Sequence, residues 1–322
     1  MRLRSWHISS IKFFNQSIVT WVVAGMIILV TALFIFPPEN LLIKQLSQFA
    51  VHWIFATLIL GIFFLIVDND HLLYISFAAC GFMSLFLMRS YNTSLKLAIS
   101  DNVHSVSVAF INPSICTDDE IAIIQNIRKF NPDIVVLEEF TPDWLSLSEE
   151  IKNSHPNFLE LMRIDPLGKA IYSKNEIFKK DTFDLALSPV IYTGILTKGK
   201  DTFYMGACNL LPPITLSSYR KLSLYLDTLS QTVFPTFKNN LLCANLNIIP
   251  WSGELLHFKA MTNMASSRRD NNLGQDKSSF FGIFNAPKNE ILFSETMECA
   301  MFQVMKDSHE NPFGIFGRYQ IR

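Results

Sequence analysis

Three long stretches with almost no charge constrain this chain before any other feature does. Ile18 to Phe36, Ala50 to Val67 and Leu72 to Met88 are apolar nearly throughout. Each is close to the roughly 20 residues that cross a bilayer core of about 30 Å. The sequence therefore predicts three transmembrane helices. Trp21 and Trp53 stand near helix ends, where indole rings favour the interface, and Pro37-Pro38 stops the first span. Ala78, Ala79 and Gly81 are expected to let the third span pack closely on a neighbour. A signal peptide does not fit, because the first apolar run is too long and two more follow.

Arg2, Arg4 and Lys12 precede the first span, whereas Glu39 to Gln48 carries one acid and one base. That asymmetry favours a cytoplasmic N-terminus, and three crossings would then put the C-terminal domain outside the cytoplasm. Arg89 and Lys96 after the third span pull the other way. The five cysteines show neither C-x-x-C spacing nor a dense framework, so they do not fix the compartment. A formal net charge of -1 offers no broad basic footprint for nucleic acid.

Beyond the spans the pattern shortens, giving two expected domains, a membrane domain over residues 1–96 and a second domain over 97–322. Val103 to Ile111 alternates like a strand, and Asp118 to Phe130 has helical spacing at Ile121, Ile124 and Ile127. Asp133 to Leu137, Phe158 to Met162, Ala170 to Ser173, Val190 to Thr197, Thr202 to Cys208 and Leu241 to Leu246 read as strands. Ser217 to Gln231 reads as a helix, and Glu290 to Phe293, Met301 to Met305 and Ile315 to Gln320 as closing strands. Ala265 to Ser279 is polar and reads as a surface loop. Many strands with few helices suit one α+β domain with two packed sheets.

Polar residues recur at the ends of these strands. They occur in Phe110-Ile111-Asn112, in Val135-Val136-Leu137-Glu138-Glu139, and in Cys208-Asn209-Leu210-Leu211-Pro212-Pro213. They recur in Ala244-Asn245-Leu246-Asn247, followed by Pro250-Trp251-Ser252, in Pro287-Lys288-Asn289-Glu290-Ile291-Leu292, and in Asp307-Ser308-His309-Glu310-Asn311-Pro312. With Gly168-Lys169-Ala170-Ile171-Tyr172-Ser173-Lys174 between them, these stretches resemble the motif series of the endonuclease/exonuclease/phosphatase family over residues 103–322. The family includes DNase I-like nucleases, sphingomyelinases and inositol phosphatases, and the likeness is to bacterial members with three N-terminal spans.

The resemblance implies a four-layered α/β sandwich and phosphoester hydrolysis with a divalent metal, commonly Mg²⁺. It puts Glu139 at the metal-ligand position and Asn112, Asn209, Asn245, Asn247 and Asn289 around the phosphate. Departures from the family pattern carry the functional argument. Asn209 replaces a His, Asn245 replaces the Asp of G-D-x-N, and Asn289 and Glu290 replace the Asp and His of P-I-D-H. An amide supplies neither a carboxylate ligand for hard Mg²⁺ nor a group that exchanges protons near neutral pH. In the last motif either His309 stands at the Asp position, or one inserted residue leaves His309 as the general base with Asp307 displaced from it.

The leading expectation is a membrane-anchored, catalytically degenerate member that binds or scaffolds, with the bilayer and a protein as its partners. Two others stay open at this point. One is an active metal-dependent phosphoesterase with a rebuilt site, in which Glu139 and Glu290 share the ion and Asp307 and His309 move protons. The other is a docking subunit of an envelope assembly.

Overall fold

The computed structural model describes residues 16–92, 103–118, 120–232, 238–268 and 288–321. Arg2, Arg4, Lys12, Lys96 and Pro287, and the expected loop from residue 269 to 279, lie outside them. Contacts divide the chain into two compact units, Met1–Arg89 and Ser90–Arg322. The second unit thus starts at Ser90, earlier in the chain than Leu97.

In the first unit, helices α1 (Ser17–Ile35), α3 (Ala50–Val67) and α4 (Asp70–Met88) follow the three apolar runs. Short helix α2 (Leu41–Leu46) leads into α3. All three spans are long and apolar enough to cross a membrane. Asp68 turns the chain between α3 and α4 in the left-handed conformation, φ 61°, and the Asn69 side chain caps α4 by accepting from Leu72 N. That left-handed residue, which favours Gly or a short polar side chain, explains the Asp-Asn sequence here. Buried polar groups pair between helices: Asn69 Nδ2 donates to Thr20 Oγ1 at 3.2 Å, and Trp53 Nε1 donates to Thr31 Oγ1 at 3.0 Å. The inward seam of α4 consists of Leu72, Ser76, Ala79, Met83 and Leu87. Ala79 belongs to the expected small-residue face, but Ala78 and Gly81 are exposed. Close approach is instead made at Gly61, whose missing Cβ would lie 3.2 Å from the Phe77 ring.

The second unit opens with strand β1 (Ser105–Ile111), helix α5 (Glu120–Phe130) and strand β2 (Ile134–Glu138). Helix α6 (Leu145–Ser154), β3 (Asn157–Leu161), β4 (Lys169–Ser173), β5 (Ile177–Phe183), β6 (Val190–Leu196) and β7 (Thr202–Asn209) follow. Next come α7 (Leu216–Thr232), β8 (Asn240–Asn245), α8 (Gly253–Thr262) and β9 (Met264–Ser266). The last strands are β10 (Asn289–Ser294), β11 (Met297–Lys306) and β12 (Pro312–Ile321).

Two six-stranded sheets result, ordered β11-β12-β1-β2-β4-β3 and β5-β6-β7-β8-β10-β9. The parallel pairs β1·β2 and β7·β8 are each joined by a crossover helix, as parallel neighbours require. Val108, Phe110, Val136 and Ile171 of one sheet meet Met205, Ala207, Cys243 and Ile291 of the other in a buried inter-sheet core. Residues of opposite parity, such as Val135 and Leu137, pack under α5 and α6. Cys208, Leu242 and Leu292 pack with α7 and α8. The order of layers is helices, sheet, sheet, helices. Most residues on both faces of the fully buried strands are apolar, which is why several read as continuous hydrophobic runs.

Four elements depart from the sequence expectation. Edge strand β5 exposes Lys179, Lys180 and Thr182, so it lacks a continuous apolar signal. Strand β9 falls at the start of the segment expected to be a loop; it is a three-residue edge held by β10. Helices α6 and α8 are only ten residues each, and α8 starts where Ser252 Oγ accepts from Leu255 N. Before β4, a Cβ on Gly168 would lie 2.1 Å from the Phe140 carbonyl oxygen. Gly168→Ala should therefore lower stability by about 1–3 kcal/mol, as overpacking does, measured as a fall in the thermal midpoint of the detergent-solubilised chain.

Candidate functional site

Strand alternation places a polar row at one end of the inter-sheet core. In β1 the inward residues Val106, Val108 and Phe110 lead, one step past the strand, to Asn112. In β2 the inward series Ile134, Val136 ends at Glu138, and in β4 Ile171 shares its face with Lys169. Register makes Ile111 the partner of Leu137 and Glu138 the partner of Lys169, so Asn112, Glu138 and Lys169 stand level in one sheet. Across from them, Met205 and Ala207 lead to Asn209, Leu241 and Cys243 lead to Asn245, and Ile291 shares its face with Asn289. Asn209 pairs with Asn245, and Asn245 with Asn289, forming the second row.

Glu138 is the centre of this arrangement and is 1% exposed. Its Oε1 accepts from Asn289 Nδ2 at 2.9 Å, while its Oε2 has no hydrogen-bond partner. Burial pushes the Glu138 carboxyl up to about 7; the Asn245 amide opposes this, Glu139 adds to it, and the Asn289 and Asn112 amides oppose it. Lys169 is 2% exposed, and its ammonium donates to Ser188 Oγ at 2.9 Å and to the Pro189 carbonyl at 2.5 Å. Burial lowers its pKa to about 8. A buried acid and a buried base therefore face the same polar end.

The flanking amides are tied to loops. Asn112 Oδ1 accepts from Ser114 N at 3.0 Å, and its Nδ2 faces Glu138 without closing a hydrogen bond. Asn209 Nδ2 donates to the Pro166 carbonyl at 2.5 Å. Asn247 adopts φ 52°, donates its backbone N–H to Asn245 Oδ1 at 3.3 Å, and donates from Nδ2 to Leu210 O at 2.6 Å. Asn112, Asn209 and Asn245 are all buried, and Asn289 is half-buried.

The remaining candidates lie outside the two inward rows, Glu139 next to Glu138, where its charge adds to burial in raising that carboxyl. Glu139 leaves β2 in the left-handed conformation, φ 53°, one residue beyond the inward row. Glu290, adjacent to Asn289, has the parity of Leu292 and projects to the outer face. There its Oε2 accepts from Ser266 Oγ at 2.5 Å, and its Oε1 lies 3.6 Å from Arg268 Nε. An ion shared by Glu139 and Glu290, expected for a rebuilt site, would need them on one face, and strand alternation turns Glu290 away from the inward row.

Asp307 closes its own loop: it accepts from Thr117 Oγ1 at 2.6 Å and from the backbone N–H groups of Thr117, His309 and Asn311. Burial raises the Asp307 carboxyl, but hydrogen bonds from Thr117 and Asn311 outweigh it and hold the pKa near 2. Asp307 touches the His309 backbone and not its ring, and His309 is exposed. Arg220 is exposed on α7.

The inward row is poor in the carboxylates that suit a resident Mg²⁺ ion. The inward row supplies one carboxylate, Glu138: its Oε1 accepts an amide N–H, and its Oε2, like Asn209 Oδ1, is buried without a hydrogen-bond partner. Hard cations need several oxygen ligands, whereas the Asn289 and Asn209 amides turn N–H groups toward acceptors. Among the described residues no group of three or more His, Cys, Asp or Glu side chains could hold a metal.

No family model and no curated protein matches the sequence. Solved structures share the fold. An endonuclease/exonuclease/phosphatase from Beutenbergia cavernae superposes with TM-score 0.57 at 15% identity, covering 68% of this chain and 72% of its own. The catalytic domain of human Nocturnin, solved with a bound sulfate anion, gives 0.54 at 12% identity, covering 69% and 97%. TDP2 of D. rerio, complexed with a single-strand DNA product, gives 0.55 at 10% identity, covering 67% and 99%. The described residues of the second unit therefore have the DNase I-like fold of endonuclease/exonuclease/phosphatase proteins.

Proposed function

We propose that this protein is a membrane-anchored, phosphoesterase-like domain that has given up metal-dependent hydrolysis and acts by binding or scaffolding. The observation that carries the reading is the Asn289 amide on Glu138 Oε1. A donor N–H occupies one oxygen of the buried acid where the resemblance would place a cation. Asn209 and Asn245 complete the loss, since an amide neither ligates as a carboxylate nor moves a proton near pH 7. The reading includes anchoring in a bacterial inner membrane with the C-terminal domain outside the cytoplasm, supported by the basic residues Arg2, Arg4 and Lys12. A protein partner fits this role better than nucleic acid, given the net charge of -1.

The test is made on the full-length protein in detergent. A chromogenic phosphodiester should be hydrolysed no faster with Mg²⁺ or Mn²⁺ than with a chelator. Calorimetric titration with either ion should give no saturable heat, and Glu139→Ala should leave both results unchanged. Metal-dependent turnover abolished by Glu139→Ala or Glu138→Ala would sink the proposal.

A further inference from the structure

We infer that Ser90–Asn92, which follows the third apolar helix in the chain, is a strap whose seating on the outer face of β9 and β10 sets Asn289 against Glu138. The strap is held by two backbone contacts within the second unit. Lys259 Nζ of α8 donates to Ser90 O at 3.0 Å, and Asn92 N–H donates to Arg268 O at 2.8 Å. Between them Tyr91 comes close to Glu290 and Arg268; burial, then Glu290, pushes its phenol up to about 12.

Arg268 carries the strap's position into β10. Its guanidinium is buried, lies 5.3 Å from the Phe302 ring centroid, and donates from Nη2 and Nε to the Asn289 carbonyl at 2.8 and 3.3 Å. Glu290 and Ser266 close the cluster at 3.6 and 2.5 Å. Asn289 is the residue where outside and inside meet. Its backbone carbonyl is fixed by Arg268, while its side chain turns inward to Glu138. A continuous chain of hydrogen bonds thus runs from Asn92 through Arg268 and Asn289 to Glu138. Sequence resemblance gives no reason for a buried Glu290; as a partner for Arg268 beneath the strap it has one. β9 is a three-residue edge paired with β10; Ser267 bonds to Ile291 O, the Arg268 backbone N–H to Ser266 Oγ, and the strap adds the bond at the Arg268 carbonyl. Seated and lifted straps are the two states, and the inference holds whether or not the site hydrolyses anything.

The experiment follows the Asn289 side-chain amide by NMR in the ¹⁵N-labelled full-length protein in micelles, the signal being assigned by its absence in Asn289→Ala. Lys259→Met and Asn92→Pro each remove one strap contact without touching Asn289. Each should speed exchange of the Asn289 NH₂ with water about tenfold, the scale set by losing one hydrogen bond to a charged or buried group. The Asn209 NH₂, tied to Pro166 O in another part of the site, should exchange at its original rate. Unchanged Asn289 exchange in both variants overturns the inference, and so does equal acceleration at Asn209, which marks general loosening. If Asn92→Pro fails to fold, the conservative Lys259→Met decides alone.

Discussion

Replacing Glu138 with glutamine should flatten the fall in stability that the wild-type chain shows between about pH 4.5 and pH 7. The carboxyl titrates near 7 in the folded chain, against an ordinary value of 4.5. Between those values the folded state binds more protons than the unfolded state, so unfolding free energy decreases as pH rises. The buried acid thus costs nothing extra below about pH 4.5, and its full penalty is present above about pH 7. That penalty is on the order of 3 kcal/mol, since each tenfold change in proton affinity is worth about 1.4 kcal/mol. Glutamine keeps an oxygen to accept from Asn289 Nδ2 and removes the charge. Thermal midpoints followed by tryptophan fluorescence in detergent should diverge with rising pH, the variant being the more stable at pH 8. Lys169 adds an opposite slope at higher pH: burial holds its folded pKa near 8, so stability rises as pH passes through and above that value. Parallel curves for the two proteins would mean that Glu138 is not the group that titrates near neutrality.

Glu138 was not legible as a site residue in the sequence, whereas the three apolar helices were. Three apolar runs gave three helices because length and polarity alone decide a span. Strands buried on both faces announced themselves as apolar runs, whereas β5 did not, because an edge strand keeps Lys179, Lys180 and Thr182 in water. Motif counting led to Glu139, and the buried Glu138 beside it was not singled out. Alternation was the missed signal: Ile134 and Val136 already fix which face β2 turns to the core, and Glu138 continues it. The same rule separates Asn289 from Glu290, adjacent letters that point to opposite faces. Lys169 had no local signal, because a lysine in a strand reads as solvated. Its burial depends on Ser188 and Pro189, roughly twenty residues away in the chain.

Turning two amides back into acids should have the largest effect of any change at this site. In Asn245→Asp/Asn289→Asp, three carboxylates would crowd a position where one is already pushed toward neutrality by burial. With a chelator present at pH 7.5, the variant should lose roughly 3–5 kcal/mol, the usual cost of leaving buried charge uncompensated. Mn²⁺ or Mg²⁺ should return a large part of that loss. Three inward carboxylates offer the hard oxygen ligands that the native amides withhold, and an ion that binds only the folded chain at about 100 times its Kd adds about 2.7 kcal/mol. The wild-type midpoint should not move under the same additions. Hydrolysis should stay at background even in the metal-stabilised variant, because Asn209 still stands in the histidine position and His309 remains exposed. A wild-type chain stabilised by divalent ions, or a double variant indifferent to the chelator, would show that the amide on Glu138 does not stand where a cation would.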